Sequence, residues 1–238
     1  MEPQSSPKFT LSTPVAVIIA GVVIAGAVIF TNRYPAPQGT ATQPQQPVAQ
    51  AADVSKVKTD GEPFMGNANA PVTMAYWYDY QCPFCQRNEE DTMPQIVKNY
   101  VDTGKLKIVF KDYQFLGPDS QMLGQYSRAV WAVVPDKFYQ WHKAVYDNQG
   151  TENTGWATQS KILSITTSVL SASDTSKVAA LVKSNGAEYQ KEMDADKAEG
   201  AAMGINGTPG TIIGKQLISG AQPYAAFQAA IDAALRNQ

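Results

Sequence analysis

The sequence is poor in the residues that most often staple a fold or hold a metal: its 238 residues include two cysteines and one histidine. Cys82 and Cys85 can bridge only each other, and so short a loop removes little unfolded-state entropy. A disulfide that ties distant parts together is therefore excluded. A structural zinc site takes four ligands; the pair supplies two and His142 is the only histidine, so no metal site is expected. An excess of positive charge is missing as well. Nineteen Lys and Arg stand against twenty-one Asp and Glu, scattered without a basic stripe, which removes the electrostatic footprint of a protein that binds DNA or RNA.

One long uncharged run is present. Residues 11–30 carry no charged side chain and are long and apolar enough to span a bilayer. They are expected to form a single transmembrane helix behind a short tail, residues 1–10. The length of the run favours an uncleaved anchor over a cleaved signal peptide, for which Ala25-Gly26-Ala27 is a poorly placed cleavage pattern. No cysteine follows it, so a lipid-modified cysteine is excluded as the anchor. Residues 31–60 then turn to Pro, Gln, Ala, Thr and Gly, a composition that cannot build a core and reads as a disordered spacer. Folding is expected to begin near Gly61 or Pro63.

The chemistry is concentrated in Asp79-Tyr80-Gln81-Cys82-Pro83-Phe84-Cys85. Val72–Tyr78 reads as a buried strand that delivers the chain to Cys82, and Pro83 suits the first turn of a helix. A sulfur at a helix N-terminus faces unpaired N–H groups and the positive end of the macrodipole, which lowers its pKa below the free value of about 8.5. Cys85, one turn later, is less favoured. Dithiol–disulfide exchange follows as the expected chemistry, with Cys82 attacking and Cys85 resolving the mixed disulfide. The competing readings are a local structural disulfide, an incomplete zinc pair and two inert core thiols. Lys8 and Arg33 nearly balance across the apolar run, so orientation rests on chemistry: a tethered disulfide exchanger works in an oxidising space, on the extracytoplasmic side of the cell membrane.

Beyond Cys85 a helical pattern runs to Gly104, and Pro94 within it predicts a kink or break. Lys105–Phe110 alternates as a second strand, with parallel pairing expected. Helices are expected over about Gln121–Val134, Pro135–Asp147, Trp156–Val169, Asp174–Asn185 and Ala187–Met203, with Ser173 or Asp174 capping the fourth. Too long for a crossover, this block reads as an inserted helical subdomain, about residues 119–203. Gly207–Ile213, a Gly214-Lys215 turn and Gln216–Gly220 read as a hairpin, and Tyr224–Leu235 as a closing amphipathic helix.

Cys82-Pro83-Phe84-Cys85 at a strand-to-helix turn, Gly207-Thr208-Pro209 before a hairpin, and helices between them resemble the DsbA-like thiol:disulfide oxidoreductases of the thioredoxin-fold superfamily. The likeness covers residues 62–238. It implies an α/β, thioredoxin-like fold, a central mixed sheet flanked by helices with the helical insertion. It implies a redox-active Cys82–Cys85 disulfide, a cis Pro209 beside Cys82, and Thr208 offering backbone groups to an extended substrate peptide. Exported reduced proteins are the implied substrates, with a membrane redox partner of the DsbB or VKOR type and no cofactor. The sequence departs from the best-known oxidant of the family in having Phe84 where that protein has histidine, and Gly210 where a larger residue commonly follows the proline. The leading expectation is an enzyme that forms disulfides. The alternatives are a reductase or isomerase kept reduced by a membrane donor, and a tethered peptide-binding module. Asp79 is read as a solvated strand-end carboxylate that could otherwise accept a proton near Cys85, Glu89 and Glu90 as surface charges, His142 as a packed structural residue, and the four tryptophans as core or groove residues.

Overall fold

The computed structural model describes residues 52–237. Residues 11–30 and residues 31–51 of the spacer lie outside them. Among the described residues no helix is long and apolar enough to cross a membrane.

Five strands form one mixed sheet in the order β1-β3-β2-β4-β5: β1 is Phe64–Met65, β2 Val72–Tyr78, β3 Leu106–Asp112, β4 Gly210–Ile213 and β5 Gln216–Ser219. The central β2 pairs parallel with β3 and antiparallel with β4. Its period of two divides the core. Met74, Tyr76 and Tyr78 join Leu106, Ile108 and Phe110 in the larger cluster, whereas Ala75 and Trp77 belong to a smaller one with Ile212 and Met203. A strand apolar on both faces must be covered on both.

Helix α1, Pro83–Asp91, begins with Cys82 at the N-cap and Pro83 in its first turn. The chain is interrupted at Thr92 and resumes as α2, Met93–Ile96, followed by a π-helical turn over Val97–Val101. This is the break expected from Pro94, which has no N–H to donate and crowds the carbonyl four residues back. After β3 come α3 (Pro118–Val133), α4 (Phe138–Asp147), α5 (Gln159–Val169) and α6 (Ala172–Ala202), all before β4; α7, Tyr224–Arg236, closes the domain.

Three differences from the sequence reading have physical causes. The two helices expected on either side of Gly186 are one helix of 31 residues, α6. A helix-interior glycine costs only about 1 kcal/mol, and buried Val178, Tyr189 and Met193 hold the helix in place on both sides of it. Its cap is Ser171, which accepts from the Asp174 N–H at 3.1 Å, rather than Ser173 or Asp174. Order also starts before Gly61: Val54–Lys56 forms a 3-10 turn, Val54 N–H donates to Gly214 O at 2.8 Å, and Val57 is buried in the smaller cluster.

Gly200 lets helix α6 seat directly against the Trp77 side chain of β2. A Cβ there would fall 2.6 Å from Trp77 Nε1, and the same indole N–H donates to Asp196 O at 2.9 Å. The long helix is thereby seated on the second face of the sheet.

Candidate active site

The aromatic strand β2 ends beneath the motif and sets its height. Tyr80 is fully buried against Trp141, His142 and Tyr146 of α4. Tyr80 OH and His142 Nδ1 lie 3.0 Å apart, and Gln149 Nε2 donates to the carbonyls of Tyr80 (2.7 Å) and Cys82 (3.2 Å). The turn is therefore held from below by α4 and from the side by the residue just beyond it. No local pattern in the sequence marks Gln149.

Cys82 and Cys85 are both thiols and both buried, at 5% and 0% exposure. Only Cys82 reaches the surface. Their environments push them apart. The Cys82 thiol is lowered to about 6, chiefly because the Cys85 thiol hydrogen-bonds its sulfur, with Thr208 and the N–H groups of Cys85 and Phe84 adding to this against the opposing effect of burial. The Cys85 thiol is pushed well above its ordinary value by burial and by the hydrogen bond and charge it shares with Cys82. One sulfur is a thiolate near neutral pH, and the other is its proton-bearing partner.

The Thr208–Pro209 peptide is cis, and Thr208 O accepts from Cys82 Sγ at 3.3 Å. The structure thus brings Cys82 and Thr208 together across 126 residues of chain. Gly210 opens β4, and a Cβ on it would lie 2.7 Å from Ile205 Cγ2, which explains why a larger residue is absent there. Thr208 Oγ1 is buried and has no other hydrogen-bond partner, and the Thr208 side chain is among the groups that lower the Cys82 thiol. Replacing Thr208 by Val is therefore expected to raise the Cys82 pKa, read from the pH dependence of thiolate ultraviolet absorbance.

Two carboxylates expected at the surface are inside. Asp79 is 0% exposed, because the segment after β3 folds over it: its oxygens accept from the N–H groups of Gln81, Phe115 and Leu116 and from the Ser120 hydroxyl. Burial still pushes its carboxyl up against these donors. Glu89 is buried at 1% while Glu90 is exposed. Cys85, Asn88 and Glu89 form the covered face of α1, and Glu89 meets His142 Nε2 and Tyr139 OH, each at 3.3 Å. His142 is the packed residue the sequence suggests. Trp77 and Trp141 are fully buried, whereas Trp131 and Trp156 are partly exposed.

The thioredoxin family profile matches residues 58–233. The chain belongs to the thioredoxin family. Within it the chain is a DsbA-like thiol:disulfide oxidoreductase. It is 28% identical over 178 residues to the disulfide bond formation protein D of Bacillus subtilis (strain 168), covering 75% of this chain and 79% of that one. The crystal structure of oxidised BdbD from Bacillus subtilis superposes with a TM-score of 0.68 at 24% identity, covering 80% of this chain and 99% of that one. Chlamydia trachomatis DsbA shares the fold with a TM-score of 0.66 at 16% identity, covering 76% and 95%. Thioredoxin-family geometry thus joins the two sulfurs and the cis-proline segment at the end of the sheet.

Proposed function

We propose that this oxidoreductase forms disulfide bonds in exported proteins, working from a membrane anchor at residues 11–30 with residues 52–237 on the extracytoplasmic side. The observation that supports the direction is the placement of Cys82 at the N-cap of α1, where hydrogen bonds from Cys85, Thr208 and backbone N–H groups lower its thiol. A stabilised thiolate is a good leaving group, so the reduced form is favoured and the Cys82–Cys85 disulfide is readily given away. Similarity to a disulfide bond formation protein supports the same direction, and the uncharged run of residues 11–30 supports the anchor.

Only Cys82 is reachable, so a substrate thiolate attacks its sulfur and the Cys82–Cys85 bond breaks. Cys85 leaves and takes up a proton, in keeping with its raised pKa. Thr208 and Pro209 lie beside Cys82, where an extended peptide can pair with the Thr208 backbone. The second substrate thiolate then attacks the substrate sulfur of the mixed disulfide, and Cys82 departs as the stabilised thiolate. The substrate dithiol has lost two electrons and two protons, one proton passing to Cys85 and one to solvent, and the enzyme holds the Cys82 thiolate and the Cys85 thiol. A membrane redox partner of the DsbB or VKOR type, passing electrons to a quinone, restores the disulfide.

Equilibrating the full chain in glutathione buffers and trapping its thiols tests this. A potential toward about -120 mV supports the oxidase. A value near about -270 mV makes the protein a reductase, and no reversible exchange leaves only a peptide-binding module.

A further inference from the structure

The carbonyl of Cys82 is oversupplied with donors, and the sulfur of the same residue is short of them. The carbonyl accepts from the Cys85 N–H at 3.1 Å, the Gln86 N–H at 3.2 Å and the Gln149 amide at 3.2 Å, whereas such an oxygen has two lone pairs. The sulfur has little to draw on. Pro83 carries no N–H, and the Cys82 N–H is spent on Asp79 O at 3.1 Å. What remains in the first turn is the pair of N–H groups from Phe84 and Cys85, the two positions from which an N-cap side chain ordinarily accepts. In the thiol form the Cys82 side chain takes neither. The Cys85 N–H is therefore the contested donor. It sits on the carbonyl while Cys82 is a thiol, and, behind the Cys85 thiol and Thr208, it is among the groups that lower the Cys82 thiol.

Gln149 is the donor that does not have to move. It lies 67 residues from Cys82, in the connection after α4, yet both N–H groups of its amide are spent on the active-site turn, one on Tyr80 O at 2.7 Å and the other on Cys82 O at 3.2 Å. The two acceptors flank Gln81, whose Oε1 accepts from the Asn153 N–H at 2.9 Å in the same connection. The backbone at Gln149 is fixed in turn. Its N–H donates to Tyr146 O at 3.0 Å, and the chain just beyond it lies against an indole: a Cβ on Gly150 would fall 2.6 Å from Trp156 Cγ. Gln149 touches neither sulfur through these bonds, so it acts on the nucleophile only through the carbonyl it holds.

We propose that Gln149 is a positioning residue for the exchange reaction: its amide keeps the Cys82 carbonyl satisfied, so that the Cys85 N–H turns from that oxygen to the Cys82 sulfur when the thiolate forms. With Gln86 and Gln149 both on the carbonyl, the switch leaves no buried acceptor short of a donor. Without Gln149 the carbonyl and the thiolate compete for one N–H, and the thiolate forms at a higher pH. The titratable groups facing Cys82 are Cys85 on α1 and Tyr76 on β2, and burial pushes both well above their ordinary values. Neither changes charge over the range in which Cys82 titrates. That Cys82 is the attacking sulfur is taken from the exchange reaction described above; the direction of electron flow plays no part.

The test is the pH dependence of Cys82 alkylation in the reduced full chain. In Gln149→Met, which keeps the length of the side chain and removes its donors, the midpoint is expected to rise by about one pH unit, a tenfold loss of thiolate below the midpoint. The equilibrium with glutathione at pH 7 is expected to shift about fivefold toward the disulfide, because a weakened thiolate favours the reduced form less. Asn148→Ala is the control. Asn148 donates to Ala144 O at 3.0 Å and accepts from Lys161 Nζ at 2.9 Å at the same end of α4, and its removal is expected to leave both readings unchanged. An unchanged midpoint in Gln149→Met, or an equal rise in Asn148→Ala, overturns the proposal. Should Gln149→Met fail to fold, Gln149→Asn, which retains an amide one methylene short of the turn, takes its place under the same two outcomes. An unaltered chain whose potential lies at the reducing end removes the oxidase direction, while the shift of the midpoint still decides the role of Gln149.

Discussion

Replacing Cys82 by Ser reduces disulfide exchange to the uncatalysed background, whereas in the unaltered protein the alkylation rate of Cys82 follows a titration with its midpoint at about pH 6. Both results come from one fact: the Cys82 sulfur at the N-cap of α1, the one of the pair that reaches the surface, is the nucleophile, and its thiolate is the reacting species. Cys85 cannot substitute, because it is fully buried and its thiol is held well above the ordinary range. Below the midpoint the rate falls about tenfold per pH unit as the thiolate is protonated. Stability is linked to the same proton. The folded pKa of Cys82 is depressed, so the thiolate contributes stability to the reduced protein that is fully present above the unfolded value and lost as pH falls through about 6. The disulfide form has no such group. Denaturant melts of both forms at pH 5 and pH 8 should therefore show the advantage of the reduced form shrinking at the lower pH. A flat difference would separate the thiolate from the redox equilibrium.

What was legible in the sequence was periodicity and punctuation. The run Val72–Tyr78, Pro83 at the start of a helix, the break at Pro94 and the two-residue turn at Gly214-Lys215 each carry their geometry in local chemistry, and each appears where expected. Strand β1 was not legible, because two residues have no period and pair only through β3. The buried charges were hidden for another reason. On β3, Leu106, Ile108 and Phe110 mark one face as core and leave Lys111, just beyond the expected strand, on the other. That second face is in fact covered, and the signal was next door: Ala75 and Trp77 show β2 to be apolar on both sides. The same holds for Asp79 and Glu89, whose donors come from α3, α4 and the segment after β3. Charge is read as exposure until the fold supplies partners, and these partners lie 36 to 53 residues away.

Replacing Arg128 by Met is expected to cost about 3–5 kcal/mol of stability at neutral pH, because it strips a buried carboxylate cluster of one of its two buried cations. Arg128, on α3, donates Nε to Asp112 at 2.6 Å and Nη1 to Glu62 at 2.7 Å, and Nη2 to Asp196. Lys111 reaches Asp196 at 2.5 Å, Glu199 at 3.0 Å and Glu62 at 3.3 Å. The cluster joins α6, β3, α3 and the segment before β1, so its loss loosens the seat of the long helix. Five carboxylates, Glu192 at 3.7 Å included, meet two buried cations, and burial, with Asp112 and Glu62 beside it, pushes Asp196 up to about 7 against the pull of Arg128 and Lys111. For Glu62, Arg128 and Lys111 outweigh burial and hold its pKa below the ordinary value. The signs then oppose. Asp196 binds its proton more tightly folded than unfolded, so its contribution falls as pH rises from about 4 to about 7, while that of Glu62 is lost only as pH falls below the ordinary carboxylate range. Without Arg128 the remaining carboxylates are driven further toward their protonated forms. The variant is therefore expected to lose most at pH 8 and to recover part of the loss at pH 5, measured by denaturant unfolding at the two values. A loss equal at both, or below about 1 kcal/mol, would mean that water reaches the cluster and screens it.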